Sequence, residues 1–378
     1  MTTDQLKHAA QKVLEENILK FWMEKMYDPK GGFYGRMDGR GVLHPEAERG
    51  AVLNARLLWT FSAAYRVLKK PEYLKMAEHE LAYLLAHFVD KEHGGVYWSV
   101  TADGEALDTH KQIYAQAFML YALSEYHRAT ADAKALELAK AFFRLIEKHG
   151  RDRVDGGYTE ATTRDWQPID DMRLSDKDEN TVKSQNTNLH VLEAYTNLYR
   201  IWPSDELREA QNALIDCFEQ RIILPTGHLG LFFDMQWHAT NDHFSAGHDI
   251  ECSWLMDEAA EVIGRDCDQT VRRLAAAASE DLHGDGSLGE LDWWTQAETV
   301  VGFTNLYQHF GDDKAWEQAV RTWQFINTRL VDHEHGEWFW GILPDGTIDK
   351  ENDKAGFWKC PYHNSRMCLE LIERLERQ

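Results

Sequence analysis

Apolar residues along the chain recur three and four positions apart in twelve separate runs, with Ala, Leu, Glu and Lys filling the polar faces between them. This period predicts helices over 4–25, 50–68, 71–88, 110–130, 132–148, 183–201, 204–222, 248–264, 267–282, 293–310, 313–330 and 361–376. Pro71 suits a first helical turn, and Pro203 separates two helices. A second pattern interrupts the first. DPKGGFYG at 28–35, DKEHGGVYW at 90–98 and DRVDGGYTE at 152–160 share an acid, a glycine pair and aromatic residues. Weaker copies are TGHLGLFFD at 226–234, HGDGSLGEL at 283–291 and DHEHGEWFW at 332–340. Glycine pairs favour tight turns and aromatic residues favour strands, so each copy predicts a short hairpin or turn.

Six turns and twelve helices make six helical hairpins. An open solenoid of such units needs polar capping repeats at its ends, whereas a closed ring needs none. The even-numbered helices are richer in Trp, Tyr, His and small residues, as an inner ring around a pocket would be. The expected fold is therefore all-α: an (α/α)6 barrel with short β-hairpin or loop insertions over the pocket, formed by one domain spanning 1–378.

Composition narrows the partners. The formal net charge is −22, which argues against nucleic acid and anionic membrane. The N-terminal stretch carries acids and an amphipathic period but no continuous apolar run, unlike a signal peptide or a membrane span. Five scattered cysteines suggest no disulfide framework and fit a reducing, cytoplasmic setting. No P-loop, no GxGxxG after a strand, no CxxC pair and no nucleophile elbow occurs, so no nucleotide, flavin or other cofactor is expected.

Candidate chemistry collects at the starts of the even-numbered helices: Asn54 and Arg56, His110 and Tyr114, Asn186 and His190, His248, Glu251 and Trp254, Trp293, Trp294 and Glu298, and Trp358, Tyr362, His363 and Arg366. In a closed ring these ends converge on one axis. His248 and Glu251 share a helix face, which suits a histidine oriented by a carboxylate. The same spacing is half of a di-metal motif, but no matching second copy exists, so no metal is expected. His363, beside a helix start, is expected to be neutral and able to act as a base. Arg56 lies in an apolar helix and needs either an anionic intermediate or an ion pair with Glu251 or Glu298. Trp294 and Glu298, four apart, suit an aromatic platform beside an acceptor for sugar hydroxyls.

The segments GAVLNARLLWTFSAAYR, EHGGVYW, GHDIECSW, WWTQAETVVGF and WKCPYHNSRMC together resemble the cellobiose 2-epimerase branch of the N-acylglucosamine 2-epimerase superfamily, from about residue 15 to the C-terminus. The resemblance implies the (α/α)6 barrel and cofactor-free, reversible C2 epimerisation of a reducing-end aldose through a cis-enediolate. It implies His248 and His363 as catalytic acid/bases, with Arg56 and Glu251 in support. It further implies Tyr114, Asn186, His190, Trp254, Trp294, Glu298 and Trp358 as substrate contacts. A small sugar is the expected partner, and the protein is expected to be a monomer or weak homodimer.

The stretch before the tandem Trp, HGDGSLGELDWW at 283–294, is shorter than the family pattern. It predicts a missing pocket wall and a weaker preference for disaccharides. A mannose 2-epimerase or an aldose–ketose isomerase acting on monosaccharides stays open. So does a glycoside hydrolase using Glu251 and Glu298 as its carboxylate pair, or a non-catalytic binding barrel.

Overall fold

The computed structural model describes residues 1–376. Its twelve α-helices are α1 Thr3–Val13, α2 Ala51–Leu68, α3 Pro71–Tyr83, α4 Ile113–Thr130, α5 Ala133–His149, α6 Gln185–Tyr199, α7 Asp205–Cys217, α8 Ala246–Ile263, α9 Asp268–Ala278, α10 Trp293–Phe310, α11 Asp313–Phe325 and α12 Tyr362–Glu376. Wider π-type turns continue α1 over Leu14–Leu19 and Trp22–Met26, and extend α3 to Phe88, α7 to Ile222 and α11 to Leu330. The twelve predicted helices are all present, with ends shifted by a few residues. The prediction for 110–130 places His110 in a helix, but it lies before α4 in the structure.

The even-numbered helices pack in the order α2, α4, α6, α8, α10, α12 and back to α2, so the inner ring is closed. Each odd-numbered helix packs outside it, with α1 lying on α12. Burial explains the division. Every residue of α2 from Ala51 to Ala64 is buried, because an inner helix has neighbours on all sides. In α5 only Ala135, Ala139, Phe142, Phe143 and Ile146 are buried, a single stripe facing inward. Arg66 of α2 bonds Glu125 of α4 and Glu373 of α12, tying first and last inner helices at the end distant from the turns.

All six Gly-rich copies are turns closed by an antiparallel bridge: Tyr27 with Phe33, Val89 with Val96, Arg151 with Tyr158, Ile223 with Leu229, Leu282 with Leu288 and Val331 with Trp338. They lie at the end where the inner helices start. A polar side chain early in several inner helices holds its turn: Gln116, Asn188, Asp249 and Gln296 accept the backbone N–H of Val96, Tyr158, Leu229 and Leu288 at 2.8–2.9 Å. This contact helps keep positions 95 and 157 glycine. A Cβ there would stand 2.7 Å from Gln116 Oε1 and 2.9 Å from Asn188 Oδ1.

A second lock repeats beside it. Arg49, Lys111 and Lys183, two residues before α2, α4 and α6, pair with the buried acids Asp28, Asp90 and Asp152 that open the turns. Seven short strands join successive repeats: β1 Arg49–Gly50 to β2 Ser99–Val100 and on to β3 Ala106–Asp108, β4 Lys111–Gln112 to β5 Ala161–Thr162, and β6 Lys183–Ser184 to β7 Phe232–Phe233. Helix starts are thereby fixed relative to one another. The five cysteines are buried and unpaired, and no described helix is long and apolar enough to cross a membrane.

Candidate active site

The inner-helix starts surround a cavity of about 500 Å3. Nine of the eleven residues expected from sequence line it: Arg56, Tyr114, Asn186, His190, His248, Glu251, Trp294, Trp358 and His363. Trp254 and Glu298 lie behind the wall instead. Trp254 is 1% exposed, and its indole N–H donates to Glu298 Oε2 at 2.9 Å. Glu298 Oε1 accepts from His363 Nδ1 at 2.7 Å and from Arg366 at 2.6 Å. Glu298 is therefore occupied and is no free acceptor beside Trp294. Nor can it flank a glycosidic bond with Glu251, since it does not border the cavity.

Two expected pairings are corrected by the geometry. No hydrogen bond or ion pair joins Glu251 to His248. Glu251 Oε1 accepts from Arg366 at 2.7 Å and lies 3.8 Å from His363 Nδ1. The oriented histidine is thus His363, and Glu298 orients it. With Nδ1–H directed at a carboxylate, Nε2 is left as the basic nitrogen. Arg56 pairs with neither glutamate. It donates to the Tyr114 hydroxyl at 2.9 Å, and its guanidinium stands 4.2 and 4.6 Å from the ring centres of Phe118 and Tyr362. Its remaining hydrogen-bond partner is the Cys360 sulfur at 3.8 Å. Arg56 is a buried cation among neutral groups, with Nε unbonded.

Sequence reasoning singled out Arg366 without a role, and it is the residue that neutralises the acids. Arg366, 1% exposed, bonds Glu193, Glu251, Glu298 and Tyr362 and packs on the Trp254 ring. Glu193 also accepts from His190 Nδ1 at 2.8 Å. Contrary to the expectation that the His248–Glu251 spacing has no second copy, His190 and Glu193 repeat it, with Glu193 a turn deeper in α6 and paired with His190 and Arg366. Glu251, Glu298 and His363 bring ligand atoms within 4.8 Å of one another, a geometry open to a metal ion. Both carboxylates already accept from the Arg366 guanidinium, which supplies the positive charge there.

Burial and this network set the protonation states. Burial, then the charge of His190, lowers His248 to about 3. Burial, followed by Arg56 and Arg366, holds His363 well below its usual value. Both imidazoles are neutral at pH 7, and burial and nearby cations account for His363 without the helix dipole. Burial, then Glu298, raises Glu251 to about 8. Burial opposes ionisation of Glu193 too, yet Arg366 and His190 hold it at about 2.

The two histidines are joined through Trp294, whose ring centre is 4.7 Å from that of His248 and 5.7 Å from that of His363. Gly247 permits this approach, because a Cβ there would meet Trp294 at 2.8 Å. Residues 174–178 of the long α5–α6 connection also line the cavity, with Glu290, Trp293 and Trp340. Beyond Trp358 lies a second cavity of about 590 Å3, bordered by Trp98, His110, Phe357 and the same 174–176 segment. No sequence pattern pointed to either feature.

A closed ring of helical hairpins, with histidines, tryptophans and an arginine that pairs with no acid gathered around one cavity at the inner-helix starts, defines an (α/α)6-barrel enzyme. The chain belongs to the N-acylglucosamine 2-epimerase family, which residues 32–366 match, and is an enzyme of the isomerase class. The cellobiose 2-epimerase of Bacteroides fragilis is 50% identical over 386 residues, covering 97% of this chain and 98% of its own. The solved cellobiose 2-epimerase from Bacillus thermoamylovorans B4167 superposes with a TM-score of 0.94 at 40% identity, covering 98% of this chain and 100% of that one. The D-mannose isomerase of Marinomonas mediterranea is 22% identical over 394 residues, 95% of each chain.

Proposed function

We propose that the chain, acting as one catalytic unit, epimerises C2 of a reducing-end glucose or mannose unit, with cellobiose-type β-1,4 disaccharides as substrates. The observation that carries this reading is the pair of neutral histidines on one cavity wall with Arg56 unpaired beside them. In the open-chain sugar the C1 carbonyl makes the C2 proton removable. A neutral imidazole, His248 or His363, takes that proton, and the resulting cis-enediolate carries negative charge. Arg56 and the Tyr114 hydroxyl beside it stabilise that charge. Return of a proton to the opposite face of C2, after rotation about the neighbouring carbon–carbon bond or from the other histidine, gives the epimer. Glu251, whose pKa burial and Glu298 raise against the pull of Arg366, can offer a proton to the ring oxygen during opening. Arg366, Glu298 and Glu193 hold the donors and bases in place and touch no substrate.

The second cavity supports disaccharide binding. Trp98, Phe357 and Trp358 offer rings to a second pyranose, with Glu48, Asp108 and His110 as polar contacts. A monosaccharide would fill the first cavity alone, and the D-mannose isomerase relative favours keeping mannose in the test. Cellobiose and mannose are incubated with the enzyme and the products separated by chromatography with mass detection. The expected product from cellobiose is an isomer of unchanged mass ending in mannose, and His248→Ala and His363→Ala each lose ~10²–10⁴-fold in kcat. Free glucose from cellobiose would mean hydrolysis, and a ketose end would mean isomerisation. Activity on mannose alone would restrict the substrate to monosaccharides.

A further inference from the structure

The turn at 332–340 differs from three of its sisters at one position. In three other turns the second glycine of the pair, Gly32, Gly95 or Gly157, has φ of +62°, +74° or +70°. Its carbonyl accepts the N–H of the acid that opens the turn, Asp28, Asp90 or Asp152. In the last repeat the Asp332 N–H donates to the Glu337 carbonyl at 2.9 Å, so Glu337 occupies that register, with φ of +61°. Left-handed backbone is sparsely populated by a residue with a Cβ, and it persists where surrounding structure or function holds it.

The side chain shows what is gained. Glu337 is fully buried and its carboxylate accepts four hydrogen bonds. Oε2 accepts from Trp22 Nε1 at 2.6 Å. Oε1 accepts from Lys359 Nζ at 2.9 Å, Asn364 Nδ2 at 2.6 Å and the Trp338 N–H at 2.9 Å. In the α4 and α6 repeats the early amide side chain, Gln116 or Asn188, takes the turn's N–H directly. In the last repeat Asn364 reaches the turn only through Glu337. The same carboxylate also grips Lys359. It therefore holds the chain just after Trp358 and again just after His363, both of which line the cavity.

We propose that Glu337 is a positioning residue for His363, setting the start of α12 so that the imidazole keeps its place between Glu298 and the substrate. This rests on the reading of His363 as an acid/base at C2. Glu337→Gly suits the left-handed backbone and removes the buried side chain with its carboxylate. It is expected to lower kcat on cellobiose by ~10- to 100-fold, as displacement of a reacting group by about 1 Å does, with KM changed less than about threefold. Glu337→Gln keeps an oxygen for the Oε1 donors and is expected to recover most of that loss. Adding Glu337→Gly to His363→Ala is expected to cost nothing further. Asn364→Leu breaks the same link from the helix side and is expected to show the same split between kcat and KM, which keeps the test open if Glu337→Gly melts early. A kcat within about threefold of the parent in either Glu337→Gly or Asn364→Leu overturns the proposal, as does an additive loss in the double variant. High activity in His363→Ala would instead overturn the assignment of the base.

Discussion

Replacing Arg366 with methionine tests the charge balance on which the whole site depends. Its guanidinium bonds three buried carboxylates, Glu193, Glu251 and Glu298, and is 1% exposed. Methionine fills much of the same space but strands the acids. Removing one partner from a buried ionic network costs about 3–5 kcal/mol. The cost depends on pH in a direction the structure fixes. Burial already raises Glu251 and Glu298, and the attraction of Arg366 opposes that rise. Without it both carboxyls rise further, and Glu193, now held at about 2 by Arg366 and His190 against burial, rises as well. A carboxyl whose folded pKa exceeds its unfolded value binds more protons when folded. Its stability contribution is complete below the unfolded value and is lost as pH climbs towards the folded one, by about 1.4 kcal/mol per pH unit per group. The deficit of Arg366→Met relative to the parent should therefore be about 3–5 kcal/mol at pH 8 and smaller at pH 5, where the part owed to Glu193, held low in the parent, still remains. Urea unfolding followed by tryptophan fluorescence at the two pH values measures it. A deficit that is flat with pH, or below about 1 kcal/mol at pH 8, would refute an ionised network around Arg366.

Arg56→Met should behave oppositely, since no carboxylate is stranded: kcat/KM should fall ~10²–10³-fold while the melting temperature holds or rises, which initial rates and a thermal melt together decide. Glu80, buried in α3 with neither oxygen bonded, is pushed to about 8 by burial against the partial relief of Arg49, so it destabilises the fold progressively from pH 4.5 to 8. Glu80→Gln should flatten that decline, and melting temperatures at pH 5 and pH 8 that keep the parent's difference would contradict the assignment. Exhaustive dialysis against EDTA should leave activity intact, because the Arg366 guanidinium already serves the Glu251 and Glu298 carboxylates; activity lost and then restored by a divalent ion would show otherwise.

The sequence alone determined the local elements and their order. Helical periodicity, glycine pairs and proline positions act over a few residues, so twelve helices and six turns were legible without tertiary context. The repeat then implied ring closure, and closure implied that His248, His363, Arg56 and the tryptophans converge. Nine of eleven expected residues do line one cavity. What the sequence left open were pairings across the ring, because they depend on how deep along an inner helix each side chain lies and which neighbour it faces. Spacing within one helix suggested that Glu251 serves His248. Packing instead gives Glu298 to His363 across two helices and leaves Arg56 among aromatic rings and a tyrosine hydroxyl. Arg366 was visible as an unusual residue, but its three acids are 68, 115 and 173 positions away, a separation no local pattern reports. The pocket wall from 174–178 is likewise a decision of the tertiary structure. A long connection has no fixed direction in sequence, and only the packed ring gives it a cavity to cover.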